Sequence, residues 1–179
     1  MSTPSDEDPV RSGALVWDVA VRFFHWALAA LVIFCTMQDD GGQVHRAAGY
    51  AAAGVVVARL WWAACAKGHG SLAALKPSAA AAFAYVRAGA PRCMGHDPLG
   101  LWMVWLLWSL VLLLGLTGWM SRFDVFWGDE RLQEVHAWLA DALLVALAVH
   151  LLGICLMSWW WRENLSASML NGRKRGPTA

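Results

Sequence analysis

Charged residues are scarce in this chain, and their scarcity excludes several classes of protein. Only 15% of the 179 residues are charged and the formal net charge is +1, whereas a typical soluble domain carries about 25% charged residues. With so little net charge, the sequence gives no support to a nucleic-acid partner. The first eight residues are polar and acidic, and they lack the basic start and early apolar run of a cleaved signal peptide.

Cysteine is also scarce, and its few copies form no paired motif. Cys35, Cys65, Cys93 and Cys155 are scattered, and neither a CxxC nor a CxxCH sequence occurs. The sequence therefore gives no support to a zinc site or to covalent c-type haem attachment. Because most of these cysteines fall in or near apolar segments, packing is their expected role.

Apolar residues dominate the chain and fall into four long segments. Hydrophobic residues make up 59% of the sequence, and the mean hydropathy is +0.45. The segments run about 14–37, 47–66, 99–120 and 135–161, and each is close to the ~20 residues that a helix needs to cross a bilayer core. The sequence therefore predicts one all-α domain over residues 1–179, an integral membrane four-helix bundle in contact with lipid.

Basic residues are concentrated on one side of these spans. The flanks and the middle connection hold most of them: Arg11, Lys67, Lys76, Arg87, Arg92, Arg162, Arg173, Lys174 and Arg175. The other two connections hold only Arg46, Arg122 and Arg131. The positive-inside rule then predicts that both termini and the middle connection are cytoplasmic. Residues 71–87 of that connection are expected to form either a short surface helix or a simple connector.

Two histidines in the fourth span are the strongest functional signal. His136 and His150 are fourteen residues apart, which is nearly four helical turns, so they share one face about 40° and roughly 21 Å apart. Ionisable groups in membrane helices are functional candidates, and this pair suits two stacked haems. Matching by depth pairs His45 with His136 near the outer surface and His25 with His150 toward the cytoplasm. The third span, without a histidine in its apolar run, is expected to be a packing wall.

Three arginines are candidates for binding haem propionates. Arg22 is one turn before His25, Arg46 adjoins His45, and Arg59 lies fourteen residues after His45 on the same stripe. A guanidinium can bind a carboxylate through two parallel hydrogen bonds. Alternatively, Arg22 and Arg59 snorkel to the cytoplasmic interface, and Arg46 is an ordinary interfacial charge.

A set of short motifs occurs in order along nearly the whole chain. They are Trp17-Asp18, Val21–Trp26, His45–Tyr50, Arg59–Trp62, Gly95–Gly100, Glu134–His136, His150–Gly153, Arg162–Leu165 and Met169–Arg175. The ordered set resembles the bacterial cytochrome b561 family, which includes the b-type cytochrome subunits of nickel-iron hydrogenases. The resemblance implies four transmembrane helices in the bacterial inner membrane, two non-covalent b haems and electron exchange with quinone. It places the axial ligands at His25, His45, His136 and His150, while Asp97 stands where the family usually has Asn.

The expected function is transmembrane electron transfer between an outer-face donor and membrane quinone. Acidic residues in the outer connections favour a docked periplasmic redox protein, such as a cytochrome c or a hydrogenase subunit: Asp39, Asp40, Asp124, Asp129, Glu130 and Glu134. One alternative is superoxide oxidation at the outer face with quinone reduction, which would make the chain an enzyme. Another is a haem-free transport or assembly subunit whose histidines carry protons or metal.

The quinone site is expected beside the inner haem, near the cytoplasmic interface. Its candidate residues are Trp17, Asp18, Arg22, His96 and Asp97. Quinone reduction needs protons as well as electrons, and His96 and Asp97 could supply a path for them. The alternative role of Asp97 is to cap the third span.

Overall fold

The computed structural model describes residues 14–38 and 41–175, which fold into six helices. They are α1 (Val19–Thr36), α2 (Gln43–Cys65), α3 (Ala79–Arg87), α4 (Pro98–Met120), α5 (Glu130–Trp160) and α6 (Leu165–Asn171). Four of them, α1, α2, α4 and α5, are long and apolar enough to cross a membrane, so the predicted helical membrane fold is confirmed. The described ranges do not include three of the charged residues of the flanks and connections: Arg11, Asp39 and Asp40.

The first helix starts later than the sequence suggested, because Asp18 caps it. The Asp18 carboxylate accepts a hydrogen bond from the Val21 N–H at 2.8 Å, which satisfies one of the free donors at the start of the helix. The preceding Ala14–Leu15 forms a short strand, β1, which pairs antiparallel with β2 (Arg173–Lys174). The segment predicted from residue 14 therefore becomes helical only at residue 19, and the two described ends of the chain meet.

Helices α2 and α5 also begin several residues away from their predicted limits, whereas α4 begins within one residue of its limit. Asp97 accepts hydrogen bonds from the Leu99 and Gly100 N–H groups at 3.1 and 2.9 Å, so it caps α4. Asp129 caps α5 in the same way, and that helix begins at residue 130 rather than 135. Because α2 begins at residue 43 rather than 47, His45 lies inside its first turn.

An aliphatic core occupies the middle of the bundle. Its buried residues come from α2, α4 and α5: Ala52, Val56, Leu110, Val111, Leu143 and Ala146. Helix α1 packs on α2, α2 on α4, and α4 on α5. In lipid such contacts stabilise the bundle through close packing, because the acyl chains are as apolar as the side chains. Leu143 is seven residues from both His136 and His150, so the core lies between the two histidine levels.

The connections lie at the two ends of the bundle. Residues 14–18, 66–97 and 161–175 form the terminal end, and residues 37–38, 41–42 and 121–129 form the opposite end. The middle connection contains α3, which is capped by Ser78 through a hydrogen bond from the Ala81 N–H at 3.2 Å. Of the two alternatives expected for residues 71–87, a short helix or a simple connector, the helix is correct, and it occupies Ala79–Arg87. On α3, Phe83 is exposed and Tyr85 is buried, so the helix has one face on the bundle.

Helix α6 ends where the N-terminal segment crosses it. Gly172 has a φ of +78°, and its carbonyl accepts hydrogen bonds from the Val16 and Trp17 N–H groups at 2.8 and 3.1 Å. A Cβ at residue 172 would lie 2.7 Å from the Trp17 carbonyl oxygen. Glycine is therefore required here by both backbone conformation and space.

An ion pair holds the C-terminal segment against the middle connection. Arg92 donates to both carboxylate oxygens of Glu163, at 2.8 and 3.0 Å, and this hydrogen bonding raises the pKa of Arg92. Glu163 also accepts a hydrogen bond from the Arg175 N–H at 2.6 Å. Burial alone would raise the pKa of Glu163, but these hydrogen bonds hold it below its ordinary value. Two segments separated by some 70 residues are thus joined at one carboxylate.

Replacing Glu163 with Gln should destabilise the terminal end. The change leaves the half-buried Arg92 guanidinium without its counter-charge, and we expect the free energy of unfolding to fall by about 1–3 kcal/mol. Thermal unfolding of the detergent-solubilised protein measures the effect. Glu134→Gln, which changes an exposed carboxylate on α5, is the matched control. Equal melting temperatures for the two variants would contradict this role of the ion pair.

Candidate functional site

His45 and His136 face each other at the opposite end of the bundle. Their ring centroids are 6.4 Å apart and their planes are inclined by 67°. Two metal–imidazole bonds of about 2 Å in line would place ring centroids about 6 Å apart. The separation therefore suits a single metal ion held between the two rings. The two histidines come from α2 and α5, as the matching by depth predicted.

His25 and His150 come together nearer the terminal end. They are close enough for a charge on one imidazole to act on the other. The His25 ring also packs edge-on against Trp26, with centroids 5.1 Å apart. Along α5, fourteen residues separate this level from that of His136, or about 21 Å. The four candidate histidines thus form two pairs at two depths.

The histidine pairs join helices whose backbones pack little against each other. Extensive contacts link α1 to α2, α2 to α4 and α4 to α5, whereas α1–α5 and α2–α5 contacts are sparse among the described residues. Both histidine pairs bridge these sparsely packed helices. In addition, the Nδ1 atoms of His25 and His45 are buried without a hydrogen-bond partner in the described part of the chain. Such groups are costly, and native proteins retain them where they have a specific role.

Thr117 is a site residue that sequence reasoning missed. Its Oγ1 lies 2.7 Å from Nδ1 of His136, although its helix, α4, was expected to serve only as a packing wall. The available signal was one of the two hydroxyl side chains, Ser109 and Thr117, in an otherwise apolar helix. That signal is weak, because a threonine in a helix commonly satisfies itself on a backbone carbonyl one turn earlier.

The three candidate arginines differ in their surroundings. Arg59 is 5% exposed, and it donates to the Gly70 carbonyl at 3.1 Å while stacking over the Trp108 ring. Arg22 donates to the Leu170 carbonyl, and its Nε is buried with no partner among the described residues. Arg46 is half-buried and donates to the Gly41 carbonyl at 3.4 Å. Of the three, Arg59 is thus enclosed by protein and does not reach free solvent.

Four residues expected at a quinone site lie in the protein interior or at helix caps. Trp17 is 3% exposed, and its ring packs edge-on against His96 at 4.6 Å. Burial, together with the nearby cations Lys174 and Arg59, lowers the pKa of His96 to about 4. His96 is therefore neutral at pH 7. Asp18 and Asp97 use their carboxylates as N-caps, which is the alternative role expected for Asp97.

No larger metal site accompanies these pairs in the described part of the chain. Over residues 14–38 and 41–175, no group of three or more His, Cys, Asp or Glu side chains is arranged to hold a metal ion. The donor sets that the structure does contain are the two pairs of imidazoles.

Comparison with known proteins identifies the family. The sequence profile of prokaryotic cytochrome b561 matches residues 16–172, which is nearly the whole chain. The chain belongs to this family. No curated protein and no solved structure gives a significant match. Membership makes the chain a multi-pass bacterial membrane protein that binds haem b and transfers electrons across the membrane, and it confirms the resemblance seen in the motifs.

The residues of the site fit the cofactor that this family binds. Haem b is held without covalent bonds, so its attachment depends on axial ligands and on the surrounding pocket. The imidazoles of His45 and His136, with a separation suited to one metal ion, provide such ligands. A Cβ atom added at Gly49, Gly54 or Gly153 would meet no other atom within 4 Å. The surfaces of α2 and α5 at these positions are therefore not covered by other described side chains.

Proposed function

We propose that this member of the family carries electrons across the bacterial inner membrane through two b haems. One haem would be held by His45 and His136, and the other by His25 and His150. The observation that carries this proposal is the presence of two histidine pairs at two depths along one helix, α5. A bound haem supplies a one-electron iron couple. With two imidazoles as its ligands, each iron would have no open position, which would favour electron transfer over oxygen binding.

The depth of His136 supports electron entry at the opposite end. Twenty-four residues separate His136 from Trp160, about 36 Å along α5, which exceeds the ~30 Å thickness of a hydrocarbon core. Trp159 and Trp160 are exposed and suited to the lipid interface at the other end, whereas Trp161 is buried in the protein. A haem between His45 and His136 would then lie near the headgroups, where an aqueous donor can approach.

Loop charge supports a periplasmic location for that opposite end. The terminal end carries most of the basic residues, and the opposite end carries only Arg46, Arg122 and Arg131 among its described residues, with acidic residues beside the last two. Asp124, Glu130 and Glu134 favour a donor with a basic docking face. A periplasmic redox protein such as a cytochrome c or a hydrogenase subunit meets this requirement.

A membrane-facing groove near His25 is the quinone site that we propose. It has a volume of about 420 Å³ and is formed by α1 and α6: Val19, Arg22, Phe23, Trp26, Ala27, Met169 and Leu170. Phe23 and Leu170 are each 66% exposed, and Trp26, which lines the groove, packs against the His25 ring. Arg22 lines the groove, so its guanidinium is a charged donor for a quinone carbonyl. This groove opens to lipid, whereas Trp17 and His96 lie inside the terminal end.

Single histidine variants should each remove one haem. His150→Ala should lose the haem nearer the terminal end and retain the other, and His136→Ala should do the reverse, because each deletion removes one axial ligand. The pyridine haemochrome yield and the redox titration of the purified variants measure this. Two haems of unchanged potential in either variant would reject the ligand assignment.

Arg22→Met should weaken quinone binding while both haems are retained. Loss of a charged donor to a carbonyl costs about 1.5–3 kcal/mol, so the KM for a soluble quinone should rise about tenfold or more. Arg46→Met, at the opposite end, is the control and should keep the wild-type KM. A KM that changes in His96→Gln but not in Arg22→Met would move the site to the interior position beside Trp17.

Reporter fusions should show a cytoplasmic terminal end. Alkaline phosphatase fused after Ala179 should be inactive, since this enzyme needs the oxidising periplasm to form its disulfides. The same enzyme inserted at Gly128 should be active. The reverse pattern would invert the proposed direction of electron entry.

A further inference from the structure

Thr117 lies on α4, a helix without a histidine, and it contacts His136 of α5. Its Oγ1 lies 2.7 Å from Nδ1 of His136. The same oxygen lies 3.0 and 3.1 Å from the carbonyl oxygens of Leu113 and Leu114. Thr117 is 7% exposed, so bulk water does not compete for these contacts.

These contacts decide where the hydrogens lie. A threonine hydroxyl has one hydrogen to donate, and a carbonyl oxygen can only accept. If the hydroxyl donated to His136, its oxygen lone pairs would face two carbonyl oxygens at about 3 Å, which is repulsive. The hydroxyl therefore donates to the carbonyls of its own helix, and the Nδ1–H of His136 donates to Oγ1. A neutral imidazole with its hydrogen on Nδ1 carries its free lone pair on Nε2.

We propose that Thr117 is the positioning residue of the opposite-end haem, because it holds His136 in the tautomer that presents Nε2 to iron. The inference rests on the proposed function. A hydrogen bond to the distal nitrogen of a ligand histidine fixes the ring orientation and makes the ligand more basic. The bonds from Thr117 to its own carbonyls polarise the hydroxyl and strengthen it as an acceptor. A more basic ligand stabilises the oxidised iron, so this contact lowers the midpoint potential of that haem.

The second histidine of the pair lacks this support. The Nδ1 of His45 is buried with no hydrogen-bond partner in the described part of the chain. His136 is thus the fixed ligand of the pair and His45 the unsupported one. The two ligands of one haem are therefore unequal, and α4 acts on the site through Thr117 rather than only as packing.

The test compares three threonine variants of the haem-loaded protein. Thr117→Val removes the acceptor at nearly constant volume, and Thr117→Ser keeps it. Thr36→Val is the matched control, because the Thr36 hydroxyl bonds to the Ile33 carbonyl at 2.7 Å near the same end of the bundle. Redox titration, low-temperature EPR of the ferric haems and haem loss to apomyoglobin measure the potential, the ligand orientation and the retention of each haem.

Thr117→Val should raise the midpoint potential of one haem, shift its EPR g values and weaken its retention about 10- to 100-fold. The other haem should be unchanged, and Thr117→Ser and Thr36→Val should behave as wild type. An unaltered potential and EPR spectrum in Thr117→Val would overturn the inference, as would equal loss of both haems, which would indicate a packing role. If His136→Ala retained both haems, the ligand assignment itself would fail, and this outcome is distinct from failure at Thr117.

Discussion

The continuous helix α5 is the constraint on which the site depends. Its 31 residues run without a proline or a break, so the spacing of His136 and His150 is set by helical geometry alone. Because fourteen residues are nearly four turns, both imidazoles face the same side of the helix. A single inserted or deleted residue between them would rotate one ring by about 100° away from its partner. Their partner histidines, His25 on α1 and His45 on α2, are held by two helices that pack against each other.

The middle of the bundle is built differently from its two ends. Between the histidine levels the core is aliphatic, with Val56 fully buried and Leu143 midway along α5. The polar contacts of the described residues gather at the terminal end, where Arg92, Glu163 and Lys174 join the middle connection to the C-terminal segment. The apolar middle excludes water from the path between the two pairs, while the polar end fixes the helices in register. A low dielectric around each pair also strengthens the effect of any nearby charge.

The sequence predicted the four membrane helices and the pairing of the histidines, because both follow from local periodicity and length. It did not predict the start of α1, although Asp18 is a typical N-cap residue, since the apolar residues 14–17 extended the hydrophobic run. The pairing of β1 with β2 joins residues 14–15 to residues 173–174, and such distant contacts leave no local pattern. Thr117 was missed for the same reason, because its role depends on how α4 is rotated against α5.

The haem content of the purified wild-type protein tests the central claim most directly. Two histidine pairs predict two b haems for each chain, and a redox titration should resolve two one-electron steps, both with b-type reduced-minus-oxidised bands. The pyridine haemochrome assay, set against protein concentration from amino-acid analysis, gives the ratio. One haem for each chain with a single redox step, or a colourless protein after expression with adequate haem, would contradict the account.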